Sequence, residues 1–292
     1  MNINITDLIG KETEHRYLNY TWRDVILYAL SVGAKSKDID LLYEKDLKAL
    51  PTFGTIPYWA TVNVLPKLSY PRPASMYVAD VLKPKKSYLN MCHELKIYRQ
   101  IDPIKGTLQW TDKIKNIYDR GVGKGIAVLT EQIISDEAGR MICSNESVTF
   151  FYEGGGFGGE QMPVNKLLIP PSPPTFRAED YISETQNALY RLTGDTNLVH
   201  IDPEFCISVG FDRPFMQGLC SYGYAVRMAI DLDIGIECSN IKRVFAQMRS
   251  ILYPDQKVEL QLWKVSEKRF VFRLINKSSN EPVLDKGEIE IN

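Results

Sequence analysis

Residues 153–175, EGGGFGGEQMPVNKLLIPPSPPT, constrain this chain more than any other stretch. Five glycines fill six positions near its start, and four prolines fill five near its end. Neither a helix nor a central strand survives that composition. Glycine carries the largest backbone entropy to be lost, and proline lacks the N–H that both hydrogen-bond ladders need. The segment reads as a linker that divides the 292 residues into halves of comparable length. A prior of roughly 150 residues per domain agrees with two domains. The expected organisation is a first domain over 1–152, the linker over 153–175 and a second domain over 176–292.

Gly154, Gly156 and Gly159 also satisfy G-x-G-x-x-G. As a dinucleotide fingerprint that pattern needs a strand before it and a helix directly after it. The residues that follow, EQMPVNKLLIPP, cannot open a helix, so no nucleotide cofactor is expected.

Each half runs helix first and strands later. In the first, Thr21 can cap a helix with Asp24 at its third position. Val25, Ile26, Ala29 and Leu30 recur at helical spacing, and Gly33 is a natural stop. HELKIYRQI, TLQWTDKIKNIYD, GIAVLTEQII and RMICSNESVTFFY then read as strands between turn signals. In the second half AEDYISETQNALYRL and RPFMQGLCSYGYAVRMAI read as helices. IKRVFAQMRSIL, KVELQLWKV, RFVFRLI and PVLDKGEIEI read as strands. KVELQLW alternates apolar and polar residues, as a sheet with one buried face requires. The order, given twice, predicts two α+β domains with each sheet packed on its helix.

Charge excludes some partners. Lys plus Arg (35) and Asp plus Glu (36) nearly cancel, so no general field draws nucleic acid or an anionic membrane. No apolar run approaches the ~20 residues of a membrane span. The N-terminal segment MNINITDLIGKETEHRY has no apolar core of a secretory signal, and the chain ends EIEIN, not S-K-L. Cys92, Cys143, Cys206, Cys220 and Cys238 are scattered without a C-x-x-C pair, which suits a reducing compartment and argues against a zinc ribbon. An intracellular, soluble protein is expected, cytoplasmic before peroxisomal.

Of the three histidines, His15 and His93 have no chemical neighbourhood and read as surface or packing residues. No close ligand spacing occurs, so no metal is expected. His200 lies in LTGDTNLVHIDPEF, where Asp195 and Asn197 precede it after Gly194. A helix stop, a turn and an N-cap account for most such loops. A functional reading is open beside that one: a turn can bring a carboxylate and an imidazole five residues apart onto one water, as general base and general acid. Gly218, in RPFMQGLCSYG, would let a ligand approach a helix start whose N–H could receive negative charge. Close helix packing accounts for such a glycine equally well.

YRLTGDTNLVHIDPEFCISVGFDRPFMQGLCSYG resembles the R-specific, type 2 enoyl-CoA hydratases of the MaoC-like family. Their signature is a Gly-Asp-x-Asn-Pro-x-His loop, then Asp-Pro, then a His-Gly-Leu-type helix start. TWRDVILYALSVGA, LPTFGTIP, NESVTFFYEGGGFGG and KRVFAQMRSILYPDQKVELQLWK are also similar to the family, so essentially the whole chain is covered. The resemblance implies a double hot-dog fold, two antiparallel sheets each wrapped round a long helix. It implies catalysis in the second domain and room for the acyl tail in the first. Asp195 and His200 become the catalytic pair, Asn197 the supporting residue, and Gly218 the backbone oxyanion donor. The implied substrate is an acyl-CoA thioester, a trans-2-enoyl-CoA hydrated to (3R)-3-hydroxyacyl-CoA. No metal or redox cofactor is implied, and because relatives often pair, a homodimer is. Asp195 is favoured as base and His200 as proton donor, with the reverse left open.

Two positions depart from the signature: Leu198 stands for its proline and Gln217 for its histidine. They lend weight to the alternatives, a non-catalytic acyl-CoA-binding protein or a hot-dog thioesterase. Lys242 and Arg243 could meet CoA phosphates, but solvated strand-edge charges are the preferred reading.

Overall fold

The computed structural model describes residues 4–59, 73–84 and 88–292. The first half contains β1 (Arg16–Thr21), α1 (Trp22–Ser31), α2 (Ile39–Leu42), α3 (Ile56–Trp59), α4 (Met76–Leu82), β2 (Leu89–Ile97), β3 (Lys105–Asp119), β4 (Ile126–Ser135) and β5 (Met141–Phe151). The second contains β6 (Phe176–Ile182), α5 (Gln186–Arg191), α6 (Pro203–Ser208), α7 (Gly218–Ile230), β7 (Ile241–Met248), β8 (Gln256–Ser266), β9 (Arg269–Asn276) and β10 (Glu281–Ile291). All neighbouring strands pair antiparallel, in the order β1-β3-β4-β5-β2-β7-β10-β9-β8-β6. From the centre outward the first half reads 2-5-4-3-1 and the second 7-10-9-8-6, the same topology used twice. β2 and β7 join the halves edge to edge, so the sheets are continuous.

The double hot-dog plan follows from α7, which is apolar almost all round. Leu219 through Ala229 are all buried, as befits a helix enclosed by a sheet and its neighbours. Val258, Leu260 and Leu262 of β8 and Phe270, Phe272 and Leu274 of β9 belong to the same core. In the first half the described residues fill the corresponding space with shorter pieces, including the buried turn Pro51–Thr55 and α4.

Helix α1 forms where the sequence predicts. The Asp24 carboxylate accepts the Thr21 N–H at 2.8 Å and the Thr21 hydroxyl at 3.0 Å, which fixes the first turn. Gly33 follows the helix at φ +85°, a left-handed conformation suited to glycine, and leaves room for the ring of Tyr224 on α7.

Three segments differ from the sequence expectation. Residues 178–192, read as one helix, divide into strand β6 and the short α5. Phe176, Ala178, Asp180 and Ile182 are the less exposed, alternate residues, and hydrogen bonds along β8 decide the state that local propensity left open. Strand β1 is a second unforeseen edge, with Leu18 and Tyr20 turned inward. The helix expected over 213–230 begins only at Gly218, because Gln217 is extended (φ −61°, ψ 137°).

The linker is a strap pinned to the first half. The N–H groups of Gly156 and Gly158 donate to the two carboxylate oxygens of Asp119, each at 2.7 Å. These hydrogen bonds, with that from Gly121, hold the Asp119 pKa below its ordinary value. The glycine pattern thus grips the protein's own carboxylate.

Gly33→Ala should destabilise the protein by about 2–4 kcal/mol, since the substitution adds left-handed strain to overpacking. An added Cβ would lie only 2.4 Å from Tyr224 Cε1. Chemical denaturation measures this, and an unchanged midpoint would remove the proposed role of the α1–α7 contact.

Candidate active site

The loop between α5 and α6 is built from its own polar side chains. Asp195 Oδ1 accepts the Asn197 N–H at 3.2 Å, and Asn197 Oδ1 accepts the Val199 N–H at 3.3 Å. The second bond caps a 3₁₀ turn over Leu198–His200. Asn197 adopts φ −56°, ψ 128°, the extended conformation that a following proline would favour. The turn therefore keeps that geometry with Leu198 in place of the proline.

His200 ends the turn, and its Nδ1 lies 2.9 Å from the Phe215 carbonyl oxygen. A carbonyl only accepts, so Nδ1 carries the proton and the neutral ring has its lone pair on Nε2. Nε2 stands 3.9 Å from Asp195 Oδ2. That separation is too long for a direct hydrogen bond, yet it allows both atoms to reach one water. Both residues are buried, Asp195 at 6% and His200 at 7% exposure. Burial raises the Asp195 pKa, opposed by His200 and the Asn197 N–H. Burial lowers the His200 pKa, opposed by Asp195 and the Phe215 carbonyl. Both groups are driven toward their neutral forms, which narrows the gap across which a proton must move.

Gly218 is the first residue of α7. Its N–H has no intrahelical partner, and no hydrogen bond among the described residues uses it. The helix dipole adds positive potential there. A Cβ at this position would sit 3.4 Å from Met248 Cγ, so glycine keeps space beside the N–H. Asp195, Asn197, His200 and Gly218 line one cavity of about 160 Å³, which Leu89, Asn90 and Thr149 of the first half also line. The four residues singled out in the sequence therefore meet in one place. A carboxylate, an imidazole and an unpartnered N–H around one space can hold a water while polarising a carbonyl.

Several contributors have no local sequence signal. The Phe215 carbonyl that sets the imidazole tautomer comes from fifteen residues further along the chain. Asn187 of α5 donates its Nδ2 to the His200 carbonyl at 2.6 Å, and its own carbonyl accepts Gln217 Nε2 at 2.9 Å. Gln217, fully buried, thus braces the Asp195–His200 loop through Asn187. Arg243 is engaged elsewhere: it binds Glu94 at 2.6 Å, Glu290 at 2.9 Å, and Glu288. Lys242 is exposed. His93 is buried between Ser147 and Asn145, while His15 is exposed.

The family description "MFE-2 hydratase 2 N-terminal domain" matches residues 18–154, and "MaoC like domain" matches residues 168–286. A probable enoyl-CoA hydratase 2 of Dictyostelium discoideum is 32% identical over 299 aligned positions, covering 98% of this chain and 96% of the relative. The peroxisomal multifunctional enzyme type 2 of Drosophila melanogaster is 31% identical over 92% of this chain, which spans only 45% of that enzyme. Among solved structures, a MaoC-like dehydratase from Phytophthora capsici superposes with a TM-score of 0.86 at 26% identity, covering 99% of this chain and 98% of that one. Among the described residues no helix is long and apolar enough to cross a membrane.

Asp195→Asn keeps an oxygen for the Asn197 N–H and removes the charge that raises the His200 pKa. The imidazole pKa, already low, should fall further in the variant, as followed by NMR titration of the ring. The native carboxyl, with its pKa raised, loses stability as pH rises through that value, so the variant should also be at least as stable at neutral pH. A raised imidazole pKa would contradict the electrostatic account.

Proposed function

The chain belongs to the type 2 enoyl-CoA hydratase family of MaoC-like proteins, and from that premise we propose that Asp195, His200 and Gly218 add water to a trans-2-enoyl-CoA. The reaction is reversible and gives a (3R)-3-hydroxyacyl-CoA in fatty acid metabolism. The observation that carries the site assignment is the meeting of Asp195 Oδ2, His200 Nε2 and the unpartnered Gly218 N–H on one cavity.

The thioester oxygen accepts the Gly218 N–H, which draws electron density from the double bond and leaves C3 open to attack. A water held between Asp195 and His200 adds its oxygen to C3 as one member of the pair takes its proton. The other member delivers a proton to C2 from the same side. The pair enters with one proton and regains that state by internal transfer, so the pair, not either residue, titrates as the catalytic unit. Asp195 as base with an imidazolium donor, and its reverse, have the same total charge. In both, His200 Nε2 is the exchanging nitrogen, because Nδ1 is held by Phe215.

The acyl tail passes toward β2 and β5 of the first half, supported by the shared lining of the cavity. No metal or redox cofactor takes part in this reading, and coenzyme A enters as part of the substrate. A homodimer and an intracellular setting belong to the same proposal: the cytoplasm is favoured, with the peroxisome, named for the Drosophila relative, as the alternative.

With crotonyl-CoA or a longer trans-2-enoyl-CoA, the enoyl absorbance should fall and chiral analysis should return the (3R) product. Asp195→Asn and His200→Ala should each slow turnover by about 10²–10⁴-fold. Near-wild-type rates in either variant would overturn the site assignment, and release of free CoA thiol in place of hydration would mark a thioesterase.

A further inference from the structure

The cavity that holds Asp195 and His200 is not lined by apolar residues alone. Ser221 lies one helical turn beyond Gly218, so the two share a face of α7. Ser221 is 2% exposed, lines the cavity, and its hydroxyl makes no hydrogen bond among the described residues. Asn90, near the start of β2, lines the same cavity at a register shift between Asn90 and Cys92. Both atoms of its side-chain amide are buried, and neither has a hydrogen-bond partner. Thr149, paired with Asn90 across β2 and β5, adds a third polar side chain to the wall.

A simple alkyl tail calls for none of these groups. Of the three, the Asn90 amide is the buried group without partners, which is rare in folded proteins and costly, and a ligand that meets it removes the cost. The required group can be specified from the donors and acceptors. A serine hydroxyl gives and takes a hydrogen bond, and an amide presents donors on one atom and an acceptor on the other. A neutral group that also gives and takes, a hydroxyl, suits either residue. Among the described residues of the cavity lining the one arginine, Arg249, is solvent-exposed, so a neutral group suits the wall better than an ionised one.

We propose that this enzyme prefers enoyl thioesters whose acyl chain carries a hydroxyl beyond the reacting double bond, and that Ser221 and Asn90 are its specificity-determining contacts. The proposal rests on the hydratase reading and names the substrate class for the same site. Ser221 and Asn90 touch the tail and take no part in the proton transfers.

The test compares hydration of trans-2-enoyl-CoA pairs of equal length, one unsubstituted and one hydroxylated, with the hydroxyl moved one carbon at a time along the chain. At one or two adjacent positions kcat/KM should favour the hydroxylated member by about tenfold or more. That ratio should fall toward one in Ser221→Ala and in Asn90→Leu. The ratio is the readout, so general losses of activity do not imitate the effect. Circular dichroism checks the fold, and if Asn90→Leu does not fold, Ser221→Ala carries the test, because alanine suits a helix interior. A wild type that favours the unsubstituted chain at every position overturns the inference, as does a preference that survives both substitutions. If the wild type hydrates no enoyl-CoA at all, the hydratase reading falls and takes the inference with it. Ordinary hydration of unsubstituted chains without hydroxyl preference overturns the inference alone.

Discussion

The pairing of β2 with β7 is the constraint on which the rest of the molecule depends. Each five-stranded half would otherwise expose a bare strand edge, with its N–H and C=O groups open to wrong partners. Joined, Cys92 faces Gln247, His93 faces Ala246 and Lys96 faces Arg243. Arg243 reinforces the joint by binding Glu94 on β2 and both Glu288 and Glu290 on β10. Beneath it His93 packs edge-on against Tyr222 of α7, with ring centroids 5.4 Å apart. Burial lowers the His93 pKa to about 4, so the ring stays neutral at ordinary pH and the joint acquires no buried charge. The joint also brings Asn90 and Thr149 of the first half and Met248 of the second to one cavity wall.

That cavity explains why Asp195 and His200 can be buried. Asp195 and His200 are costly to enclose as ions, and among the described residues each has one side-chain atom held by a hydrogen bond. Asn197 occupies Asp195 Oδ1 and Phe215 occupies His200 Nδ1. Oδ2 and Nε2 are left to face each other across 3.9 Å. Asn187 and Gln217 then hold the loop from behind. In the proposed reaction the same arrangement that destabilises the charged forms prepares them to exchange a proton, a local exchange of stability for chemistry.

Much of this was legible in the sequence where the signal is local. Asp195, Asn197 and His200 fall in one loop, and their turn-forming side chains point to the loop's shape. The Thr21–Asp24 cap and Gly33 likewise bracket α1. Legibility fails where a partner distant in the chain decides. Residues 178–182 pair with β8 and become strand, although their composition suits a helix. Phe215 contributes through a carbonyl that every residue possesses, so no residue type could announce it. Gln217 departs from the family signature, and its partner Asn187 lies thirty residues earlier in the chain. The resemblance to the family pointed to Asp195, Asn197, His200 and Gly218, whereas the tautomer and the bracing required coordinates.

The central claim is that one water, shared by Asp195 and His200, supplies chemistry to a single face of the double bond. Hydration of crotonyl-CoA in D₂O, with the product analysed by NMR for relative configuration at C2 and C3, tests it most directly. The account predicts deuterium at C2 on the same face as the new C3 hydroxyl, in a product of (3R) configuration. Delivery of deuterium to the opposite face would require a proton donor on the far side of the substrate, and would contradict it.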